Sequence, residues 1–370
     1  MNKKEVFSKA KFWEVQREQY FNLGPKCWSQ HLVPSQITSS PLTASYYAEL
    51  VLSILNQAPR PILELGGGSG EFAFHFLVEL LKQKPPPFTY YLSDFSDHLI
   101  DFYHNHPKLK PFLSKGLLKI LKLDVENDPI EFEKPLIVIA NYFFDTIQQD
   151  LFKVTNHQIY QGLVDASCES YSFKPLKNPS PFLIEYANTL HNTPFLFPTG
   201  AFDVIEKLPQ DSLIIIGDKG PVSPEAFRLP KFDWHQTFSL PVNFHALKVF
   251  VEARGGSLLL PKAEKPHFTM SILFTGKNLH SVKACYDKQQ HKLHPQELLD
   301  QIRNFSNQPS AAEGYALLKK SLFDPRVYLL ISEEIDLKLT KEEASEVQKK
   351  IYPLSENEAF IFSLLEIFSL

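Results

Sequence analysis

Short apolar runs alternate along the middle of the chain with segments whose apolar residues recur at helical spacing. The runs are short for helices and predict strands of a mostly parallel sheet that is buried on both faces. They cover residues 62–65, 89–93, 117–123, 136–140 and 212–216, and a closing pair of strands is predicted at residues 257–260 and 268–275. The helical segments between them place helices on both faces, so the pattern predicts an α/β, Rossmann-like fold with a twisted sheet.

The two ends of the chain have a different pattern. Residues 1–57 predict an N-terminal helical segment, with helices over residues 4–21 and 44–56. Residues 58–280 form the predicted α/β domain, and residues 281–370 show only helical patterns. Their predicted helices cover residues 295–305, 311–322, 326–331, 341–351 and 356–368. We predict an all-helical C-terminal extension that either binds a protein partner or covers one end of the sheet.

A long stretch, about residues 151–197, separates the fourth predicted strand from the fifth. Within it, residues 152–154 and 158–160 predict a hairpin, and residues 170–180 are polar and contain only turn signals. We predict an insertion at the ligand-binding edge of the sheet, where insertions shape substrate choice.

Composition and charge exclude several classes of function. The 370 residues carry a formal net charge of −4, which gives no general attraction to nucleic acid or to an anionic membrane. No apolar run approaches the roughly 20 residues that span a bilayer. Cys27, Cys168 and Cys285 stand far apart, with neither metal-ligand nor disulfide spacing. We therefore expect no metal site and a reducing, cytoplasmic location.

The first predicted strand runs into a glycine-rich turn and then a helix. Glu64 is followed by Gly66, Gly68 and Gly70 in the pattern E-x-G-x-G-x-G. Glycines at such a turn let the backbone approach a nucleotide-like ligand, because a side chain would block it. The turn lacks the third glycine of the G-x-G-x-x-G pattern that binds nicotinamide dinucleotides, and its acid suits a cation such as the amino group of S-adenosylmethionine (SAM). A tight turn without a ligand is the alternative.

Further candidates for cofactor contacts follow other predicted elements. Asp94 ends the second strand about 20 residues past the glycines, where such folds hold a ribose by its hydroxyls. We expect Ser96 to cap the next helix, which frees Asp94 for that role. Asp124 ends the third strand, where SAM enzymes commonly contact the adenine amino group, although a surface turn fits nearly as well. Thr38 and Ser39 precede a helix and supply either ligand-binding hydroxyls or its N-cap.

The fourth strand runs into a polar and aromatic cluster. Because ligands bind outside the carboxyl ends of parallel strands, we expect this cluster to face the same crevice as the glycine turn. Asn141 is a candidate to bind a substrate amine, and Asp145 to accept a proton or hold a cationic substrate. Capping of the next helix is the alternative for both. Tyr142 and Phe143 are candidate substrate contacts, and Asp218 joins them because it follows the fifth strand.

Motifs of one known family occur in order along the chain. They are T-S-S-P at residues 38–41, E-L-G-G-G-S-G at 64–70, V-I-A-N-Y-F-F-D at 138–145, G-D-K-G at 217–220 and V-N-F with a following leucine at 242–247. Together they resemble motifs of the MidA-like SAM-dependent methyltransferases, a family that includes the mitochondrial complex I assembly arginine methyltransferase. The resemblance covers roughly residues 30–275. Its most specific part is the family signature I-x-A-N-E-F-F-D.

The resemblance implies a class I methyltransferase fold, SAM as the cofactor and a protein or peptide-like acceptor. Two positions depart from the family: Tyr142 replaces a glutamate of the signature, and Lys219 replaces a tyrosine of its D-Y-G turn. Because carboxylates hold a guanidinium group, the missing glutamate leaves the methyl acceptor open. A SAM-binding assembly factor or scaffold without catalysis is the second hypothesis. A nicotinamide oxidoreductase is the third, and the glycine spacing disfavours it.

Overall fold

The structure is a computed structural model, and it describes residues 4–30, 32–33, 37–235, 237–261, 268–276, 280–305, 310–335 and 338–351. In chain order the strands are β1 (Glu5–Val6), β2 (Ile62–Leu65), β3 (Tyr90–Asp94), β4 (Leu118–Lys122), β5 (Ile137–Asn141), β6 (Asp150–Thr155), β7 (Gln158–Val164), β8 (Tyr171–Pro175), β9 (Pro194–Phe197), β10 (Leu213–Asp218), β11 (Asp233–His235), β12 (Thr237–Ser239), β13 (Ser257–Leu259) and β14 (Thr269–Phe274).

The α-helices are α1 (Phe12–Leu23), α2 (Lys26–Ser29), α3 (Pro41–Leu55), α4 (Glu71–Lys82), α5 (Asp97–Asn105), α6 (Lys110–Ser114), α7 (Pro181–Ala187), α8 (Thr199–Lys207), α9 (Phe244–Glu252), α10 (His280–Gln289), α11 (Pro295–Phe305), α12 (Ala311–Lys320), α13 (Pro325–Ile335) and α14 (Lys341–Lys350). Short 3₁₀ helices cover Phe7–Lys9 and Pro224–Ala226.

The central sheet contains all five strands predicted from the apolar runs, together with the predicted closing pair. Its order is β13-β14-β10-β5-β2-β3-β4. The strands from β10 to β4 in this order run parallel, and β14 is antiparallel to both of its neighbours. Every residue of β2 and β10 is buried, which explains their continuous apolar runs. The predicted Rossmann-like α/β fold with a mostly parallel sheet is confirmed.

Alternate residues of the central strands pack against helices on opposite faces of the sheet. On one face, Ile137 and Ile139 share a core with α3 and α4, and this core also includes Tyr286 of the C-terminal extension. On the other face, residues of α7, α8 and α9 form a second core, in which the rings of Phe202 and Phe250 stack with centroids 4.2 Å apart. The helices thus cover both faces, as the sequence predicts.

The predicted insertion supplies β6 to β9 of a second sheet, and the N-terminal strand β1 completes it, with the order β1-β7-β6-β9 and with β8 paired to β7. The predicted hairpin is confirmed as β6 and β7. Strand β8 falls within residues 170–180, where the sequence indicates only turns. Tyr171 and Phe173 alternate with polar residues, but the strand is short, none of its residues is fully buried, and Pro175, Asn178 and Pro179 give the segment the composition of a turn.

The N-terminal prediction is wrong at its first residues. The sequence predicts one helix over residues 4–21, but β1 pairs antiparallel with β7, and α1 begins only at Phe12. The backbone conformation of this segment buries Phe7 completely in a core with Leu151 and Val164 of the second sheet. Burial in this core determines the backbone conformation in place of the local helical pattern. The sequence does not predict this, because the partner residues are distant along the chain.

The C-terminal extension contains four of the predicted helices, which are confirmed as α11 to α14, and α10 precedes them. Helix α13 continues to Ile335, beyond the predicted end at residue 331. Leu298 and Ile302 of α11 pack with Leu42 of α3, so the extension rests on the helix before the glycine turn. The predicted helix over residues 356–368 lies outside the described residues. None of the described helices combines the length and the apolar character that crossing a membrane requires.

Candidate functional site

A cavity of about 360 Å³ lies at the carboxyl ends of β2, β3 and β5. The glycine turn after β2, the end of β3 and the segment after β5 all contribute to its wall. Most predicted site residues line it, namely Thr38, Ser39, Glu64, Gly66, Gly68, Asp94, Asn141, Tyr142, Phe143 and Asp145. Gly70, Asp124 and Asp218 do not line it.

The glycine turn has a backbone conformation that favours glycine. Gly66, Gly68 and Gly70 have φ angles of +60°, +57° and +71°. A Cβ atom on Gly66 would lie 2.7 Å from the ring of Phe143, and one on Gly68 would lie 2.9 Å from Trp28. Gly70 is the N-cap residue of α4. The turn therefore brings bare backbone to the cavity between two aromatic rings.

Glu64 is buried at the end of β2, with 3% of its surface exposed. Its Oε2 accepts a hydrogen bond from the hydroxyl of Tyr90 at 2.6 Å. Burial raises the pKa of Glu64 to about 8, because a single hydrogen bond does not replace the water that the carboxylate loses. A cation bound in the cavity would favour the charged form and lower this pKa.

Asp94 is buried at the end of β3, and burial raises its pKa to about 6. Ser96 is the N-cap residue of α5, as expected, but its side chain does not cap the helix, because its hydroxyl donates to the carbonyl oxygen of Phe21 at 3.4 Å. The backbone N–H of Ser96 donates to Asp94 Oδ1 at 3.1 Å. The Tyr103 hydroxyl lies 2.9 Å from the carbonyl oxygen of Gly68 and 3.5 Å from Asp94 Oδ2. Asp94 is thus connected to the glycine turn.

The structure does not bring Asp124 to the cavity. Its carboxylate accepts hydrogen bonds from Arg17 of α1 at 2.5 Å and from the Asn127 amide at 2.7 Å. Burial alone raises the pKa of this carboxyl, but these hydrogen bonds hold it below its ordinary value. The guanidinium of Arg17 also lies 4.8 Å from the ring centre of Phe95, which lines the cavity. The carboxylate oxygens of Asp124, which an adenine contact would need as acceptors, are therefore already hydrogen-bonded to Arg17 of α1.

Hydrogen bonds hold the segment after β5 against its neighbours. Asn141 donates from Nδ2 to the carbonyl oxygen of Thr38 at 2.9 Å and accepts at Oδ1 from the Tyr47 hydroxyl at 3.3 Å. Tyr142 has a φ of +49°, and its N–H donates to the carbonyl oxygen of Gly217 at 2.7 Å. Such a backbone conformation is uncommon outside glycine and is concentrated at functional sites. Asn141 thereby fixes the segment before α3 to the edge of the sheet.

Asp145 and Asp218 form a pair of buried carboxyl groups beside the cavity. Burial raises the pKa of Asp145 to about 6 and that of Asp218 well above its ordinary value, while the charge of Lys219 lowers the pKa of Asp145. The interaction of the two carboxyl groups lowers the pKa of Asp145 and raises that of Asp218, as expected when two adjacent carboxyl groups share one proton. The N–H of Phe144 donates to Asp218 Oδ2 at 3.1 Å. Oδ1 of Asp145 and Oδ1 of Asp218 have no hydrogen-bond partner among the described residues.

Ser39 connects the start of α3 to α4 and to the C-terminal extension. Its hydroxyl donates to Glu71 at 2.9 Å, and Arg326 of α13 lies 3.1 Å from this hydroxyl and 3.4 Å from Glu71. Burial opposes the ionisation of Glu71, but the His75 side chain 3.9 Å away and the charge of Arg326 lower its pKa to about 2. The N-cap of α3 is Ser40, so neither Thr38 nor Ser39 has the capping role.

Two walls of the cavity have no motif in the sequence. Tyr20 of α1 and Trp28 of α2 belong to one, and Gln296, Leu299 and Arg303 of α11 belong to the other. The α11 residues share the spacing of one helix face, but any amphipathic helix shows such a face, and the pattern does not reveal what it contacts. Among the side chains that the structure describes, no cluster of three or more His, Cys, Asp or Glu residues is arranged to hold a metal ion.

No protein-family model matches the chain, and no curated protein matches its sequence significantly. The chain is similar in structure to a COG1565 superfamily protein from Burkholderia thailandensis, with 14% identity and a TM-score of 0.52, over 73% of this chain and 87% of that one. It is also similar to a COG1565 superfamily member from the same organism bound to S-adenosylhomocysteine, with 12% identity and a TM-score of 0.49, over 72% of this chain and 94% of that one. The first likeness shows the fold, and this is the Rossmann-like architecture that the resemblance implies.

Proposed function

We propose that this chain is a SAM-dependent methyltransferase that acts on a side chain of a protein or peptide-like acceptor. The observation that carries the proposal is a single cavity in which bare glycine backbone meets Glu64 and Asp94 at the ends of adjacent strands. Backbone without side chains permits close approach of a nucleotide-like ligand, and an acid at the end of the second strand suits ribose hydroxyls. The acid before the turn suits a cation.

The residues around the cavity fit SAM. Its ammonium group suits Glu64, whose raised pKa a neighbouring cation would lower. Its ribose suits Asp94, and its adenine ring suits the aromatic and apolar surface of Phe95 and Leu99, which line the cavity beside that acid. When bound, SAM supplies a methyl group that is activated by a sulfonium.

The chain's own residues position the acceptor and receive its proton. Tyr142 and Phe143 line the cavity after β5 and exclude water from it. Asp145 lines the same part of the cavity, and the pKa of its partner Asp218 is raised further, so the shared proton stays on Asp218 and Asp145 can hold an acceptor N–H and take up a proton. Asn141 keeps this segment in place through Thr38. Positioning of this kind supplies a large part of the catalysis in a group transfer.

The volume of the cavity limits the acceptor. At about 360 Å³ it lies near the lower end of the roughly 300–1,000 Å³ that small-molecule sites occupy. A bound nucleotide-like ligand therefore takes up most of this volume. Tyr142 stands where the resembling family has a glutamate, so Asp145 is the acid that this segment presents to the cavity. A single carboxylate suits an amine better than a guanidinium group, which pairs with carboxylates through two parallel hydrogen bonds.

Two measurements test this function. Calorimetric titration of the purified chain with SAM, S-adenosylhomocysteine and NAD should show binding of the first two alone. Incubation with methyl-labelled SAM and a host-cell extract should transfer label to an acceptor. Asp145→Asn should reduce that transfer at least about 100-fold, the loss expected for one proton-transfer group, and leave the affinity for S-adenosylhomocysteine unchanged. Asp101→Asn, at an exposed position of α5, is the matched control.

Failure to bind either SAM or S-adenosylhomocysteine would refute the proposed function. Binding without any transfer of label would favour the alternative of a SAM-binding assembly factor. Equal transfer by the unaltered chain and by Asp145→Asn would support methyltransferase activity but would show that Asp145 takes no part in proton transfer.

A further inference from the structure

The C-terminal extension forms one wall of the cavity, although it lies outside the segments that resemble the methyltransferase family. Gln296, Leu299 and Arg303 of α11 all line the cavity. Their spacing of three and then four residues places them on one face of the helix. At the rise of an α-helix, this face forms a strip about 10 Å long beside the cavity.

Packing and a hydrogen bond fix the position of α11. Leu298 and Ile302 lie on the neighbouring face of the helix and are buried with Leu42 of α3. Immediately before the helix, the Nε2 atom of His294 hydrogen-bonds with the carbonyl oxygen of Phe268 at 3.0 Å. The cavity-lining strip is therefore attached to α3 and to the residue before β14.

Helix α13 connects the extension to the glycine turn at a second place. Arg326 lies 3.4 Å from Glu71, which immediately follows the turn, and Asp324 holds the same guanidinium at 2.9 Å. Arg326 also donates to Ser39, which lines the cavity. Two helices of the extension thus contact the site independently.

The extension adds a positive charge to a cavity wall that is otherwise rich in acids. Glu64, Asp94 and Asp145 line the cavity. Lys219 also lines the cavity, and its charge lowers the pKa of Asp145, which burial raises. Arg303 is the cation that α11 contributes. SAM and S-adenosylhomocysteine carry a carboxylate next to their ammonium group, and this carboxylate requires a partner other than the acids that suit the ammonium.

We infer that Arg303 binds the carboxylate of the ligand's amino-acid moiety and that the C-terminal extension is therefore part of the binding site. This inference rests on the proposed function, because it takes SAM or S-adenosylhomocysteine as the ligand. A guanidinium group forms charge-assisted hydrogen bonds with carboxylates. Arg303 is exposed, so salt should weaken its contribution.

Two ligands distinguish a contact with the carboxylate from any other effect. S-Adenosylhomocysteine carries the amino-acid moiety, whereas 5′-methylthioadenosine has the same adenosine and thioether without it. In Arg303→Gln we expect the dissociation constant of S-adenosylhomocysteine to rise about tenfold at low salt and that of methylthioadenosine to stay unchanged. Arg303→Lys should restore part of the lost affinity, and high salt should reduce the difference. Lys288→Gln, which removes a charge from an exposed position of α10, should change neither constant.

An unchanged affinity for S-adenosylhomocysteine in Arg303→Gln would overturn the inference. An equal loss for both ligands would also overturn it, because the side chain would then act on the adenosine end or on the fold. If the unaltered chain binds neither ligand, the proposed function itself is refuted and the inference falls with it. That outcome is distinguishable from failure of the inference alone, in which the unaltered chain binds S-adenosylhomocysteine and Arg303→Gln binds it equally well.

Discussion

Replacing Glu64 by glutamine should change how the free energy of unfolding depends on pH. Glu64 is 3% exposed, and burial raises its pKa to about 8, from an ordinary value of about 4.3. Between these values the folded chain holds a proton on Glu64 that the unfolded chain has lost. Raising the pH across this range therefore favours unfolding, so the stability that the protonated carboxyl contributes at pH 5 is lost as the pH approaches 8.

The size of the effect follows from the interval between the two pKa values. Each pH unit within it costs about 1.4 kcal/mol of the free energy of unfolding, so the step from pH 5 to pH 8 costs about 4 kcal/mol. The amide of Glu64→Gln does not titrate, and its oxygen still accepts the hydrogen bond that Tyr90 donates to Glu64. The variant should match the unaltered chain near pH 5 and exceed its stability by about 4 kcal/mol near pH 8.

Denaturant unfolding of both chains across this pH range measures the difference. Asp94 and Asp145 are also buried with raised pKa values, but they titrate in both chains, so the difference between the chains reports Glu64 together with its repulsion of Asp94. Glu131→Gln, at an exposed position, is the control and should show no pH-dependent difference. A difference between Glu64→Gln and the unaltered chain that stays constant with pH would refute the reasoning, because it would mean that Glu64 titrates alike in the folded and unfolded states.

Three further substitutions test the fold and the site. Phe7→Ala should lower the free energy of unfolding by about 3–5 kcal/mol, because its ring is fully buried in the core of the second sheet; a loss below about 1 kcal/mol in denaturant unfolding would contradict that packing. Gly68→Ala should destabilise the chain by about 1–2 kcal/mol in the same assay, because its φ is +57° and the new Cβ would lie 2.9 Å from Trp28; unchanged stability would contradict this turn geometry. Asp124→Asn should change the affinity for S-adenosylhomocysteine by less than about twofold, because its carboxylate contacts Arg17 outside the cavity; a tenfold loss in calorimetry would show that it does contact the ligand.

The central strands are predictable from the sequence because their burial on both faces of the sheet requires apolar residues at nearly every position. Strands β2 and β10 are buried along their whole length, so a mostly apolar run, interrupted in β2 by Glu64, marks each of them without any knowledge of its neighbours. Strand β1 is the opposite case. It has two residues, neither fully buried, and it is a strand only because it pairs with Leu163 and Val164 at a distant point of the chain. Its local pattern therefore indicates a helix.

The same contrast holds for the site. Glu64, Asp94 and Asp145 lie at or just after the ends of parallel strands, which meet at one edge of the sheet, so topology alone predicts that they converge. Asp124 also follows a parallel strand, but Arg17 of α1 binds its carboxylate. No local sequence pattern predicts that contact. Arg303 reaches the cavity from a helix whose sequence looks like any amphipathic surface helix. Contributions from the two ends of the chain thus depend on tertiary packing.

The charges around the glycine turn also help to distinguish the three functional hypotheses, which are a methyltransferase, a SAM-binding scaffold and a nicotinamide oxidoreductase. A dinucleotide would bring an anionic pyrophosphate to this turn, next to Glu64 and Asp94, and the repulsion would raise pKa values that burial already raises. A cationic ligand has the opposite effect, because it offsets the cost of ionising both acids. Asp145 follows a different strand, and its Oδ1 has no partner outside the pair with Asp218 among the described residues. A ligand-binding scaffold has no use for such a carboxyl, whereas an acceptor N–H does, and this is why the Asp145 variant distinguishes a methyltransferase from a scaffold.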